Sequence, residues 1–467
     1  MDLNSRPFIA REKQLKCLAS QLEKRSSATI IYGKRKVGKT TLILEAFRRL
    51  GKPFVYYECI KDTEEVNVDS LLVECKRTGI VDEQFGLEKK TFLSLFQYLD
   101  SLGQEISIAI DEYPYLREFT PSDTIDSVFQ KIIDNHIKNV SLVLSGSHMS
   151  IMKSLLNEEN ALYGRFGLSL WLQEFDYRDA SLFYPNKTPY EKAAFYGVFG
   201  GSPYVLSAID PNKDLRENIV ALLLSPENGI SLYASSLLLS EIGNRPQSER
   251  LLACLGNGKK KYNELEETID PRKTGNLARV LSPLIDMGLV VKQYPINRPN
   301  DSRKAFYCIE DNLLRFYYSF LYPHRSPLAL YDPNRAYDVF IKPNLTHYLS
   351  HRFEGIARQF LWRQINAGHF EGAIDVGTYY YDDPVAHKNG EFDVAVLRHN
   401  GVDILEAKYW AKPVDKDTVR GEIKQIAAIK ELPVAKIGFI TIHGFEPDVV
   451  GLDYMFDGND LYLEAKK

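Results

Sequence analysis

The chain has 467 residues, 44% of them hydrophobic, 12% aromatic and 26% charged; this is ordinary globular usage, neither disordered nor fibrous, and at roughly 150 residues per domain it predicts about three domains. Fifty-eight Lys and Arg against 62 Asp and Glu leave a net charge of −4, so the chain is no polycation built to coat nucleic acid, and any such contact needs a local basic patch. Cys17, Cys59, Cys75, Cys254 and Cys308 are scattered without a CxxC pair, which speaks against a disulfide framework or a cysteine zinc site, and no apolar run approaches the ~20 residues that span a bilayer; a cytoplasmic protein with no membrane partner is expected.

Up to about residue 206, short apolar runs at 28–32, 53–58, 106–110, 141–145 and 168–172 alternate with amphipathic stretches, as a parallel sheet with crossover helices requires. The first run enters Gly33-Lys34-Arg35-Lys36-Val37-Gly38-Lys39-Thr40, a complete GxxxxGK[ST] loop, and a helical pattern over 41–49 follows. Gly33 and Gly38 let the backbone bend so that the N–H groups of Lys34, Arg35, Lys36 and Val37 surround phosphate oxygens, with the following helix aiming its positive end at the same place. Lys39 would neutralise the β- and γ-phosphates, Thr40 would ligate magnesium, and Thr41 completes the set, so ATP and Mg2+ are the expected cofactors. The run 106–110 ends in Asp111-Glu112, at the sheet edge where such folds bind ligands. Asp111 is expected to hold the magnesium and Glu112 to orient and deprotonate the attacking water.

These residues resemble the archaeal-type P-loop ATPases of the AAA+/STAND group. The resemblance covers most of residues 6–325 and extends to Phe8-Ile9-Ala10-Arg11-Glu12, Leu144-Ser145-Gly146-Ser147, Tyr163-Gly164-Arg165 and Gly200-Gly201-Ser202-Pro203-Tyr204. It implies that Ser147 senses the γ-phosphate and that Arg165 meets transition-state charge, in its own subunit or a neighbour's. It also leaves open whether the assembly is a ring or a resting monomer.

Between about 214 and 323 the pattern turns helical, at 237–242, 262–268 and 277–287, then strand-like at 289–294 and 304–309 around a polar segment 295–303. That order is a winged helix-turn-helix, a lid or packing module with basic residues Lys259, Lys260, Lys261, Arg272, Lys273 and Arg279 able to meet phosphates. Phe316, Tyr317, Tyr318, Phe320 and Tyr322 read as packing residues.

The remainder opens with a helix over 345–367 and continues with strands at 391–398, 402–408 and 436–441 and a helix at 418–430. Period two sends Glu406 and Lys408 to one face, where Asp393 of the neighbouring strand can approach them. Two carboxylates and a lysine there suit divalent metal, a positioned water and a scissile phosphate. The set resembles the PD-(D/E)xK nuclease core, with Asp393 and Glu406 as metal ligands, Lys408 catalytic and Glu354 the additional helix carboxylate. The same ATPases often carry such a carboxy-terminal domain, known as DUF234. His148, His387 and His399 are isolated and show no zinc spacing.

The expected fold class is therefore α/β: a P-loop NTPase domain at 1–210 with helices on both faces of a parallel sheet, a helical and winged-helix lid at 211–325, and a small restriction-endonuclease-like α/β domain at 326–467. The expected function is a magnesium-dependent ATPase coupled to a metal-dependent nuclease, with ATP and DNA as partners. The alternative is a nucleotide switch or scaffold whose last domain binds without cutting.

Overall fold

The computed structural model describes residues 8–225, 227–233, 246–272, 274–383, 388–429 and 432–463. The expected helix 237–242, Lys273, His387 and residue 430 of the expected last helix lie outside the described residues. The chain divides into two compact units, Met1–Glu174 and Phe175–Lys467. The boundaries expected after 210 and 325 both fall inside the second.

The first unit is built on five parallel strands, β1 (Ser27–Tyr32), β2 (Phe54–Glu58), β3 (Ile106–Asp111), β4 (Val140–Gly146) and β5 (Leu168–Trp171), in the order β2-β3-β4-β1-β5. Strands β3 and β4 are buried along their whole length, which is why they read as continuous apolar runs and not as alternation. The pleat sends Ile30, Ile108 and Leu142 into one core and Ile31, Ala109 and Val143 into another on the opposite face. Because β4 lies between β1 and β3, the carboxyl ends of these three strands are neighbours. Three short segments distant in sequence thereby meet at one edge.

The second unit opens with the short helix Tyr177–Ala180 and includes the helices Pro189–Phe199, Pro246–Gly256, Tyr262–Ile269 and Asn276–Asp286. A three-stranded antiparallel sheet accompanies them, β6 (Lys260–Lys261), β7 (Val290–Gln293) and β8 (Phe306–Ile309), in the order β6-β8-β7. Leu277, Val280, Leu281 and Leu284 bury one face of the helix Asn276–Asp286 against this sheet. Phe316, Tyr318 and Phe320 are buried, and Phe316 and Phe320 pack their rings on Tyr348, so the aromatic run is core.

The long helix Lys342–Asn366 leads into a mixed sheet of β9 (Ala373–Asp383), β10 (Lys388–Arg398), β11 (Gly401–Lys408), β12 (Val434–Thr441) and β13 (Tyr454–Phe456), ordered β13-β12-β11-β10-β9. Strands β9, β10 and β11 run antiparallel; the helix Lys416–Ala427 then carries the chain over so that β12 pairs parallel with β11. The β9–β10 register slips between Phe392 and Ala395, a bulge that changes the aim of the residues it contains, Asp393 among them. No helix among the described residues is long and apolar enough to cross a membrane.

Candidate functional site

The loop after β1 is shaped by what it cannot accommodate. A Cβ on Gly33 would sit 2.2 Å from the carbonyl oxygen of Leu172, and Gly38 adopts φ 92 as the residue capping the helix Lys39–Leu50, a conformation that favours glycine. Lys36 also takes a left-handed φ of 64. From the opposite side Arg11, itself left-handed at φ 62, donates through Nη2 to the carbonyls of Val37 at 2.8 Å and Gln173 at 2.6 Å. It thus braces the loop from the Phe8–Glu12 box.

Lys39 is buried and folds back on the loop, donating to the carbonyls of Gly33 at 2.9 Å and Lys34 at 3.2 Å. Thr40, one residue on, donates to Asp111 Oδ2 at 3.0 Å. Tyr56 of β2 donates its hydroxyl to the same oxygen at 2.5 Å. Burial, then the charge of Asp111, pushes that phenol far above its ordinary pKa, so it remains a donor. Thr41 is exposed on the first turn of the helix.

Glu112 is left-handed, φ 51, a strained conformation of the kind concentrated at functional sites. Ser147, following β4, donates to Glu112 Oε2 from its hydroxyl at 2.8 Å and its amide at 3.2 Å. Arg35 reaches Ser147 Oγ through Nε at 3.5 Å and the Tyr115 hydroxyl through Nη2 at 2.9 Å. A continuous chain therefore runs from loop to Ser147 to carboxylate. Glu58, beside Asp111 at the end of β2, has its pKa raised by burial and by the charges of Asp111 and Glu112. Arg165 is not part of this group: its guanidinium is held by Asp134 at 2.9–3.2 Å and by the carbonyls of Ala161 and Tyr163.

A second cluster lies on the carboxy-terminal sheet. Lys408 bonds Glu406 at 3.2 Å and Glu422, on the helix Lys416–Ala427, at 2.7 Å. Burial lowers the Lys408 ammonium, but Glu406 and Glu422 outweigh it and hold the pKa above the usual value. Burial raises Glu406, and the charges of Glu422 and Asp393 add to it. In the β10–β11 hairpin Ala395 pairs with Ile404 and Val396 with Asp403, and Asp393, two residues before Ala395, is close enough for its charge to act on Glu406. On the long helix, Glu354 meets His351 at 3.2 Å, and Arg358, one turn on, donates to the Asp393 carbonyl at 2.7 Å. Among the described residues no three His, Cys, Asp or Glu side chains converge as a metal group, because cations stand between the acids: Lys408 beside Glu406, and Lys259, which bonds Asp393 at 2.8 Å and also pairs with Glu391.

Residues 8–209 match a family described as an ATPase domain predominantly from Archaea. Residues 317–421 match DUF234, a family of archaeal and bacterial proteins of unknown function. Over residues 8–209 the chain is similar to archaeal P-loop ATPases, and its parallel sheet has the P-loop NTPase fold. An uncharacterized protein of Methanocaldococcus jannaschii is 26% identical over 421 residues, spanning 88% of this chain and 89% of its own. Among solved structures, a Walker-type ATPase of Pyrococcus abyssi aligns with a TM-score of 0.51 at 18% identity, over 67% of this chain and 96% of that one. The ORC2 protein of Aeropyrum pernix, in complexes with ADPNP and ADP, aligns at 0.46 and 12% over 68% and 95%.

The ATPase domain's segment 175–209 belongs to the second compact unit. There Asp176 and Asp179 are ion-paired with Arg363, Tyr177 N–H donates to Gln359, and Tyr348 donates to the Gly197 carbonyl. Sequence reasoning missed Tyr56, Lys259 and Glu422. Tyr56 was visible only as one aromatic residue in a strand; its relevance depends on β2 lying next to β3. In the sequence Lys259 is one of a basic run, and nothing local ties it to an acid 134 positions away.

Proposed function

We propose that the chain binds and hydrolyses ATP at the loop 33–40, and that the nucleotide state controls a metal-dependent DNA nuclease on the β10–β11 face. The observation that carries the first part is the convergence of Lys39, Thr40, Asp111, Glu112 and Ser147 at adjacent strand ends. Lys39 leaves the Gly33 and Lys34 carbonyls for the β- and γ-phosphates, and loop N–H groups take their oxygens. Thr40 and Asp111, hard oxygen donors already sharing a bond, fit Mg2+, which when bound would neutralise phosphate charge. Glu112, released from Ser147, orients the attacking water and accepts its proton, while Ser147 turns to the γ-phosphate.

The second part is supported by the chain order of helix, antiparallel β9, β10 and β11, helix and parallel β12, with Asp393, Glu406 and Lys408 meeting on one face. Glu391 Oε2 there is shielded and has no hydrogen-bond partner, an acceptor that suits a cation. As they stand these acids form no three-carboxylate metal group, Asp393 being paired with Lys259 and Glu406 with Lys408; with those cations withdrawn, Asp393 and Glu406, with Glu354 of the long helix, are the carboxylates that would hold a divalent ion able to polarise a phosphodiester. Lys408 positions the water and steadies charge at the scissile phosphate. The helix and strand module 246–309 is the winged-helix lid.

The test is cleavage of plasmid and linear DNA with Mg2+ or Mn2+, with and without ATP, beside Lys39→Ala and Lys408→Ala. Cleavage lost in Lys408→Ala and altered by ATP or by Lys39→Ala is expected. ATP hydrolysis without cleavage under any condition would overturn the nuclease reading. The engagement of Asp393 by Lys259 favours a second reading in that event, a nucleotide switch whose last domain binds without cutting.

A further inference from the structure

Lys259 comes from the strand module, not from the sheet whose acids it meets. It immediately precedes β6, pairs with both Glu391 and Asp393, and lies 5.1 Å from the Phe306 ring centroid. Its ammonium is thus bracketed by two carboxylates and an aromatic ring, the setting that suits a cation. Glu391 and Asp393 are two residues apart on β10, Asp393 on the bulged stretch, and Asp393 is close enough for its charge to act on Glu406 across the hairpin. One ammonium thus stands at the mouth of the acidic face.

The same module is fastened to the same sheet at a second point. Strand β9 is an edge strand, and exposed edges attract pairing. Its outer side is taken by the segment linking β7 to β8. Ile296 N–H donates to the Thr378 carbonyl at 2.8 Å, Asn297 exchanges bonds of 2.8 and 3.0 Å with the Tyr380 backbone, and Lys304 donates to the Tyr380 hydroxyl at 2.6 Å. A Cβ on Gly377 would lie 2.7 Å from Ile296 Cγ2, so glycine there allows the close seat. Since β6 pairs with β8, Lys259, just before β6, and the wing segment, just before β8, are both attached to one small sheet.

We propose that Lys259 is a built-in counter-cation that closes the Glu391–Asp393 face to divalent metal, and that the seat of segment 296–304 on β9 is the catch that keeps it there. This rests on reading that face as the nuclease centre. A metal must displace the ammonium and unseat the wing, so its observed affinity is reduced by the small fraction of open molecules. The segment between β7 and β8, the element of a winged helix that projects outward, is then unavailable to a nucleic acid while the face is closed.

The test is Mn2+ binding by nucleotide-free full-length protein, read from the paramagnetic resonance of free Mn2+, for the wild type, Lys259→Gln, Lys259→Arg, Asn297→Ala and Lys259→Gln/Asp393→Asn. Lys259→Gln should bind about tenfold tighter or more, as removal of a competing charge and restoration of the open fraction require. Lys259→Arg should bind as the wild type does, and the double variant should lose the gain. Asn297→Ala should both free the Tyr380 amide for hydrogen exchange and tighten Mn2+ binding. Equal Mn2+ binding by wild type and Lys259→Gln, with ATPase activity retained as a sign of folding, overturns the proposal even if the protein cuts DNA. A gain equally large in Lys259→Arg overturns the role of charge, and a freed Tyr380 amide without tighter binding overturns the catch. A gain in Lys259→Gln that Asp393→Asn abolishes, without cleavage by either protein, supports the closure while the nuclease reading falls.

Discussion

Lys39 and Glu112 are both held by groups that a nucleotide would replace: Lys39 by the carbonyls of Gly33 and Lys34, Glu112 by Ser147. Truncating Lys39 to Ala removes a buried ammonium aimed at phosphates, and steady-state ATP turnover should fall by about 10²–10³-fold with helix content by circular dichroism unchanged. Glu112→Gln keeps the shape and the bond from Ser147 but loses the base; nucleotide binding by fluorescence titration should persist while turnover falls by about 10²–10⁴-fold. Glu406 permits a prediction of opposite character. Its pKa is raised in the fold by burial, from an ordinary value of 4.5, so ionising it costs stability. Glu406→Gln should therefore gain stability relative to the wild type as pH rises from about 4.5 toward 7. The sign follows from the raised value: the gain is absent below about pH 4.5, where the side chain is protonated in both states, and grows as pH rises through the folded pKa. Urea unfolding across that range reads it; a gain independent of pH would contradict it.

The motif Gly200-Gly201-Ser202-Pro203-Tyr204 is explained by elements and not by chemistry. Gly200, φ 69, ends the helix Pro189–Phe199, and Pro203 opens the helix Pro203–Leu206. Between them a Cβ on Gly201 would lie 1.9 Å from the Phe175 carbonyl oxygen, while Phe175 N–H bonds the Gly201 carbonyl at 2.9 Å. Gly201→Ala should cost about 2 kcal/mol or more, as overpacking against backbone does, measurable as a lowered denaturation midpoint. Elements of this kind separate what the sequence makes legible from what it does not. Strands β1, β3 and β4 announce themselves because burial on both faces makes them continuous apolar runs, and the loop after β1 because its glycines are sterically obligatory. Strand β9 hides because its AIDVGTYYYDD offers neither a continuous apolar run nor a regular alternation, and its partner on the outer side is a loop. β6 has only two residues, too short for any periodicity. The acid face was legible as Asp393, Glu406 and Lys408 through strand alternation. Lys259 and Glu422, which decide its charge, arrive from elements whose approach only the folded sheet defines.

The division of the chain into Met1–Glu174 and Phe175–Lys467 separates the nucleotide loop, with Asp111 and Ser147, from every residue of the acid face. Segment 175–209, though part of the ATPase domain, is tied by Arg363 and Gln359 to the long helix, so it should unfold with the carboxy-terminal sheet. Calorimetry of the full chain is expected to show two transitions. A ligand that binds only the native form stabilises the unit that holds it by about 2.7 kcal/mol at a hundred times its dissociation constant, about 5–10 °C for a unit of this size. Mg-ATP, added to Glu112→Gln so that it survives the scan, should raise one transition by that amount and leave the other in place. Mn2+, added to Lys259→Gln without nucleotide, should raise the other. A single transition that both ligands move together would show that the two units melt cooperatively. A nucleotide shift appearing in the transition that Mn2+ also shifts would place segment 175–209 energetically with the phosphate loop, against its contacts with the long helix.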